Sequence, residues 1–161
     1  MLWYTIETST AQSLVSQLKS KLVELTQTTL RLRTYDLREI RPEDLGLSQF
    51  GIDYGGSTTK TIKVKVNSNS LLGIAGVIGT SETKTTEVDI KKGNELVAKL
   101  YVAPVKDVAN CQLVAPAFRI YEPDDVIELT FKASAATDLD PVWLLGAVVV
   151  PESAPAATTQ I

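Results

Sequence analysis

Phe118-Arg119-Ile120-Tyr121-Glu122-Pro123-Asp124-Asp125-Val126-Ile127-Glu128-Leu129-Thr130-Phe131 and, further on, Val142-Trp143-Leu144-Leu145-Gly146-Ala147-Val148-Val149-Val150 decide the fold class. In Glu122–Asp125 the proline presets φ for a turn, and the aspartates can accept bonds from nearby backbone amides, so the chain reverses there. From Val126 to Phe131 the side chains alternate. Ile127, Leu129 and Phe131 fall on one face, and Glu128, Thr130 and Lys132 on the other, the pattern of a half-buried strand. Thr137–Pro141 reads as a polar turn. The run Val142–Val150 carries no charge and stops at Pro151, which cannot donate to a ladder, so it is predicted as a strand buried on both faces. Two strands alone are marginal in water, so this pair requires further strands and a second layer.

The preceding segments supply them. Lys60–Val66 alternates cleanly, with Ile62, Val64 and Val66 inward and Lys63 and Lys65 outward. Thr85–Ile90 and Glu95–Val102 alternate too. They are joined by Lys91-Lys92-Gly93-Asn94, which predicts a hairpin. Asn67–Ser70 is loop chemistry. Leu71–Gly79 is apolar with three glycines, and is either an irregular buried strand or a loop tucked into a subunit contact. Pro104–Asn110 reads as a loop, and Cys111–Val114 with Ala117–Tyr121 as a broken or edge strand around Pro116. About eight short strands with turn signals between them predict a mostly β chain, a β-sandwich of jelly-roll type.

The N-terminal part differs. Met1–Glu7 alternates weakly, as a short edge strand or docking arm. After Ser9 or Thr10 as N-cap, Ala11, Val15, Leu18, Leu22, Leu25, Thr29 and Leu32 form an apolar stripe at spacings of four and three. Gln12, Ser16, Lys19, Lys21 and Glu24 occupy the other faces, so the segment is predicted as an amphipathic helix. It breaks near Leu25, where β-branched residues and the alternation of Leu30–Thr34 favour a strand. The stripe packs either on the chain's own sheet or on another copy. Arg41–Gly46 predicts one short helical turn, with proline at its start, acids in its first turn and glycine at its stop. Pro151–Ile161, rich in Ala, Pro and Thr, predicts a mobile tail or arm. The organisation expected is therefore a strand/helix arm over 1–45, partly packed on the domain, a sandwich over 46–150 and a mobile tail over 151–161.

Composition narrows the function. A chain of 161 residues, 44% apolar and 22% charged, suits one globular domain burying roughly 70% of its unfolded surface. No apolar run reaches the roughly 18 residues of a membrane span, and the first ten residues lack a signal-peptide pattern, so a cytoplasmic location is expected. Cys111 is the only cysteine, so no intrachain disulfide forms. The net charge of −3 argues against non-specific nucleic-acid binding. The charge is uneven: residues 1–41 carry six Lys/Arg against four Asp/Glu, and residues 119–161 two against seven.

Chemistry is scarce. Without histidine, Ser-His-Asp and Cys-His catalysis and imidazole-ligated metals are excluded. Phe50-Gly51-Ile52-Asp53-Tyr54-Gly55-Gly56-Ser57-Thr58-Thr59-Lys60 resembles the first phosphate loop of the actin, Hsp70 and sugar-kinase superfamily. That resemblance implies two large α/β lobes and a second phosphate loop, whereas the residues after Lys60 read as strands. The stretch is therefore expected to be a glycine-bearing turn into the Lys60 strand. Glu122, Asp124, Asp125, Asp138 and Asp140 would form a Ca²⁺ site if their turns met at one sheet end; as isolated turns they are solvated. A glycosidase would need two carboxylates facing one cleft, and these sit on turns. Trp3 and Trp143 are the only tryptophans, and Trp143 lies in the apolar strand. No enzyme activity, cofactor or metal is expected.

With an N-terminal arm or helix before Lys60–Val150, the chain resembles in architecture the small jelly-roll or β-sandwich proteins that build or decorate virus particles. The resemblance implies a structural capsid, cement or fibre subunit, assembled in the host cytoplasm and located in the virion. Its partners would be copies of itself or other structural subunits. Val15, Leu18, Leu22, Leu25, Leu71 and Leu72 are the candidate self-association residues, because apolar side chains left in water are a liability. The alternative is a carbohydrate- or protein-binding sandwich module, for which Tyr35, Tyr54 or Tyr121 would line a surface groove.

Overall fold

A computed structural model describes residues 16, 17, 20, 35–104, 119–152 and 156–161. The described part is mostly β. Its elements are β1 (Tyr35–Glu39), a 3₁₀ turn (Pro42–Leu45), β2 (Ile52–Val66), β3 (Leu71–Gly79), β4 (Thr85–Lys92), β5 (Glu95–Pro104), β6 (Arg119–Tyr121), β7 (Val126–Asp140), β8 (Val142–Pro151) and β9 (Thr158–Gln160). They form one curled, mixed sheet in the order β1-β8-β3-β5-β4-β7-β2-β9, with β6 beside β3. All pairs are antiparallel except β3 with β5.

β5 joins the two halves of the sheet. Its first part, Glu95–Tyr101, pairs with β4, and its last residues, Val102–Pro104, pair with Val77–Gly79 of β3. Residues from both halves meet in one core inside the curled sheet. Ile62, Val64 and Val66 of β2, Val88 and Ile90 of β4, and Ile127, Leu129 and Phe131 of β7 pack with Ile74, Ile78, Trp143, Leu145 and Val148 of β3 and β8. The alternation read in β2 and β7 selects these side chains. Ile127, Leu129 and Phe131 are each fully buried, which by area stabilises the fold by roughly 1.5–3 kcal/mol apiece.

β8 is buried along its whole length, as its lack of charge predicts. A second, smaller cluster explains why. Leu71, Ala75, Ala147 and Val149 cover the other face of β3 and β8, with Tyr35 and Ile120 packed against them. Gly146 is required by close approach: a Cβ there would lie 2.0 Å from the carbonyl oxygen of Gly73.

The outward face of β2, β7, β4 and β5 is a lattice of opposite charges. Lys132 Nζ donates to Asp89 at 2.8 Å, and Lys99 Nζ lies 3.2 Å from Glu87 and 3.8 Å from Asp89. The Lys99 ammonium is held above its ordinary pKa by its bond to Glu87, with Asp89 adding to the effect. The lysines are about two-fifths exposed and screened by water, so each pair contributes little to stability.

Several expectations are corrected. Thr137–Pro141 is not a turn: β7 runs through to Asp140, and the chain changes direction at Pro141 alone before entering β8 in the other half of the sheet. Phe50–Lys60 is not a turn before a strand either. β2 begins at Ile52 and carries Gly55 and Gly56, at φ 59° and 82°, as an irregularity within it. Of the two readings of Leu71–Gly79, the irregular buried strand holds: it is β3, with a register slip between Ile74 and Gly76. Residues 35–45 of the arm pack on the domain: β1 pairs with β8, and Ile40 and Leu45 are fully buried. Pro151 ends β8, and the tail contributes β9 instead of remaining free. The 3₁₀ turn is where the sequence put it, stopped by Gly46 at φ 72°. The hairpin at Gly93-Asn94 is also as expected, with Lys92 opposite Glu95.

Candidate assembly surface

β2 borders the sheet's far end. β7 pairs with it from Ile52 to Lys65 on one side. On the other side β9 pairs only with Val64–Val66, which leaves Gly55–Ile62 without a strand neighbour there among the described residues. A bare edge is a template for another chain, and this one is partly blunted. The Gly55 amide donates to Asp53 Oδ1 at 2.8 Å and the Thr59 amide to Ser57 Oγ at 3.2 Å, so two backbone donors are already engaged. Along it, Ser57, Thr58, Thr59 and Thr61 present exposed hydroxyls.

The C-terminal peptide is held against this edge by polar contacts. Asn67 binds it at three points. Its amide donates to Ala157 O at 2.8 Å, its Nδ2 donates to Ala156 O at 3.0 Å, and its Oδ1 accepts from Thr159 Oγ1 at 2.6 Å. The Ile161 amide donates to Lys63 O at 3.1 Å. From the other side, Asp44 Oδ1 accepts the Ala157 amide at 2.8 Å, and Thr158 Oγ1 donates to the Asp44 carbonyl. Gly46 leaves room beneath the Gln160 side chain: a Cβ there would come within 3.0 Å of Gln160 Oε1.

Asp44 is the hub of this arrangement. Although fully buried, its carboxylate accepts from Arg38 Nη1 at 2.6 Å and Nη2 at 3.0 Å, and from the Arg41 amide at 2.8 Å. A buried carboxylate is tolerated only with such pairing. For Arg38, burial lowers the pKa and the bond to Asp44 raises it; the net result lies above the ordinary value.

At the opposite end of β2 lies an apolar recess of about 260 Å³, lined by Phe50, Gly51, Leu139, Asp140, Pro141 and Val142. Phe50 and Leu139 are 38% and 47% exposed. Phe50 is placed by an edge-on contact with Trp143, with ring centroids 5.1 Å apart. Trp143 is in turn fixed by its Nε1–H bond to Ile40 O at 2.9 Å. Beneath the recess, Asp140 accepts the Lys84 and Thr85 amides at 2.8 and 2.9 Å and the Thr85 hydroxyl at 2.6 Å. Thr85 Oγ1 thereby spends its proton on Asp140, so Tyr54 OH donates to it at 2.6 Å. Burial pushes the Tyr54 phenol above its ordinary pKa. Tyr54, Thr85 and Asp140 are all buried and mutually satisfied, which makes the group a structural knot.

Of the residues singled out in the sequence, Val15, Leu18, Leu22 and Leu25 lie outside the described residues, as do Trp3 and Cys111; Ser16, Gln17 and Ser20 are helical and exposed. Leu71 and Leu72 are fully buried within the chain, in the smaller and larger clusters respectively, so neither offers surface to a partner. The five turn acids do not converge. Glu122–Asp125 precedes β7 and Asp138 and Asp140 lie at its end, separated by up to roughly 45 Å of strand. Asp125 accepts the Glu122 amide at 2.8 Å and lies 3.5 Å from Lys92 Nζ. Asp124 adopts φ 70° and faces Lys65 at 3.8 Å. Among the described residues no three Asp, Glu or Cys side chains form a metal cage. Sequence reasoning missed Asp44, Phe50 and Leu139, because nothing local marks a residue whose partners come from distant strands.

No family model, curated protein or solved structure matches the chain.

Proposed function

We propose that this chain is a non-enzymatic structural subunit that self-associates, of the kind that forms the capsid, cement or fibres of a virus particle. The observation that carries the reading is the Phe50–Leu139 recess, where two apolar side chains stand in water at the end of the longest strands. Adjacent exposed apolar side chains beside a recess, with no titratable partner among the described residues but the satisfied Asp140, support a protein contact over a reacting centre. The open part of the β2 edge lies along the same strand and extends that surface. The virion assignment rests on architectural resemblance: a small β domain with an N-terminal segment ahead of it. The leucine stripe at Val15, Leu18, Leu22 and Leu25 would provide a second contact.

The binding-module reading has less support. Tyr54 and Tyr121 are buried, at 4% and 3% exposure, and do not line a surface groove. Tyr101, the most exposed of the described aromatics, stands on the charged outer face opposite Glu87. Light scattering tests the assembly reading. The wild-type chain is expected at a multiple of its 17.5 kDa mass, and Leu139→Glu at a lower multiple with an unchanged β spectrum. A wild type of single-chain mass at every concentration overturns it.

A further inference from the structure

We infer that the slot holding the C-terminal peptide is an exchange site, which in the assembled protein takes Ala156–Ile161 from a second copy; this rests on the assembly reading above. The slot is built for an extended peptide. Val64–Val66 supply the strand edge, Asn67 supplies a three-point clamp, and Asp44 supplies an acceptor on the opposite side. It is also selective. Thr158 and Thr159 each place a hydroxyl on an acceptor, Ala157 is fully buried, and Gly46 makes space for Gln160. The polypeptide matched to this slot is the chain's own segment Ala156–Ile161, so every copy carries one slot and one occupant. That is the condition for exchange between copies.

The energetics favour exchange over a permanent lock. Across Ala156–Ile161 the only fully buried apolar side chain is the methyl of Ala157; Thr159, Gln160 and Ile161 are exposed. The outer bonds, Thr159 to Asn67 and Ile161 to Lys63, face solvent, while those to Asp44 are buried and are remade only by an identical peptide; with three paired residues against ten, the segment opens more readily than the β7–β2 pairing beside it. An identical peptide from a neighbour makes the same bonds. Exchange therefore costs little once the local concentration of copies is high.

Register provides the test. Lys65 is paired with Thr159, and Ile161 sits two residues further along the same edge, bonded to Lys63. Two full-length chains are made in a Cys111→Ser background, one with Lys65→Cys and one with Thr159→Cys, then mixed at a concentration where light scattering records an oligomer, and oxidised. A disulfide between them can form only in trans. Paired strand positions lie within the roughly 4.4–6.8 Å Cα separation that a disulfide spans. The expected result is a shift from one-chain to two-chain mass on non-reducing gels, with much less product when Ile161→Cys replaces Thr159→Cys. Equal yields from the two mixtures would mark random collision and overturn the inference. So would closure of the Lys65→Cys/Thr159→Cys double variant within single chains while the mixture stays unlinked. An oligomer by light scattering without the trans disulfide leaves the assembly reading standing and removes the exchange; single-chain mass throughout removes both.

Discussion

Asp44 and Ala157 stand 113 positions apart in the chain, yet the Ala157 amide donates to Asp44 Oδ1 at 2.8 Å in the protein interior. The same carboxylate receives both terminal nitrogens of Arg38 and the Arg41 amide. One buried acid thus ties β1, the 3₁₀ turn and the C-terminal strand together. Its removal leaves the part-buried Arg38 charge without its main partner. Asp44→Ala is expected to cost about 3–5 kcal/mol, measured as a drop in the urea midpoint, and to speed amide hydrogen exchange in β9. Asp44→Asn retains one acceptor oxygen and is expected to cost less.

At the other end of the sheet Thr85 mediates between Tyr54 and Asp140. Thr85→Val keeps the shape and deletes the hydroxyl, leaving the Tyr54 proton without an acceptor and Asp140 with one donor fewer. A loss of about 1–3 kcal/mol in chemical denaturation is expected, while Tyr54→Phe together with Thr85→Val is expected to recover part of it.

Gly146→Ala probes the tightest contact between β8 and β3. The added methyl would meet Gly73 O at 2.0 Å and Ile40 Cδ1 at 2.9 Å, so the two strands must separate or the pairing must slip. Thermal melting is expected to show a loss at or above the roughly 1–3 kcal/mol typical of overpacking. Gly93→Ala meets no neighbouring atom among the described residues but places alanine at φ 62°, so it is expected to cost only the roughly 1–2 kcal/mol of left-handed backbone strain.

Tyr121 carries a buried hydroxyl with no hydrogen-bond partner among the described residues. Burial pushes its pKa up to about 12 from the ordinary 10.0, with Arg119 opposing and Asp125 adding. The folded state therefore favours the neutral phenol. The stability this contributes is complete below pH 10 and is lost as the pH rises through the folded value near 12. Tyr121→Phe is expected to match or exceed the wild type at pH 7, since it deletes an unpaired polar group. It is also expected to flatten the decline between pH 10 and 12, read by denaturant titration at each pH.

Leu22→Glu with Leu25→Glu tests the second proposed contact. If the stripe joins copies, light scattering records a lower mass while the far-ultraviolet β signal holds. If the double variant unfolds a wild type that already has single-chain mass, the stripe belongs to the chain's own packing.

By itself, the sequence determined which side chains face inward. A period of two in Lys60–Val66 and Val126–Phe131, the chargeless run Val142–Val150 and the proline–acid–glycine order of Arg41–Gly46 are local properties, and local sterics and burial act on them directly. Thr137–Pro141 shows where that reading fails. Asp138 and Asp140 look like turn formers, but Asp140 is taken up by the Lys84 and Thr85 amides of a strand 55 residues away, and β7 stays extended to meet them. Strand order, the passage of β5 between the halves of the sheet, the recess formed where Phe50 meets Leu139, and the docking of Ala156–Ile161 were decided only by tertiary structure. Alternation marks a strand's buried face without marking its neighbour. Neighbours are chosen by the joint packing of segments far apart in the chain, and that choice brought Asp44 to the tail.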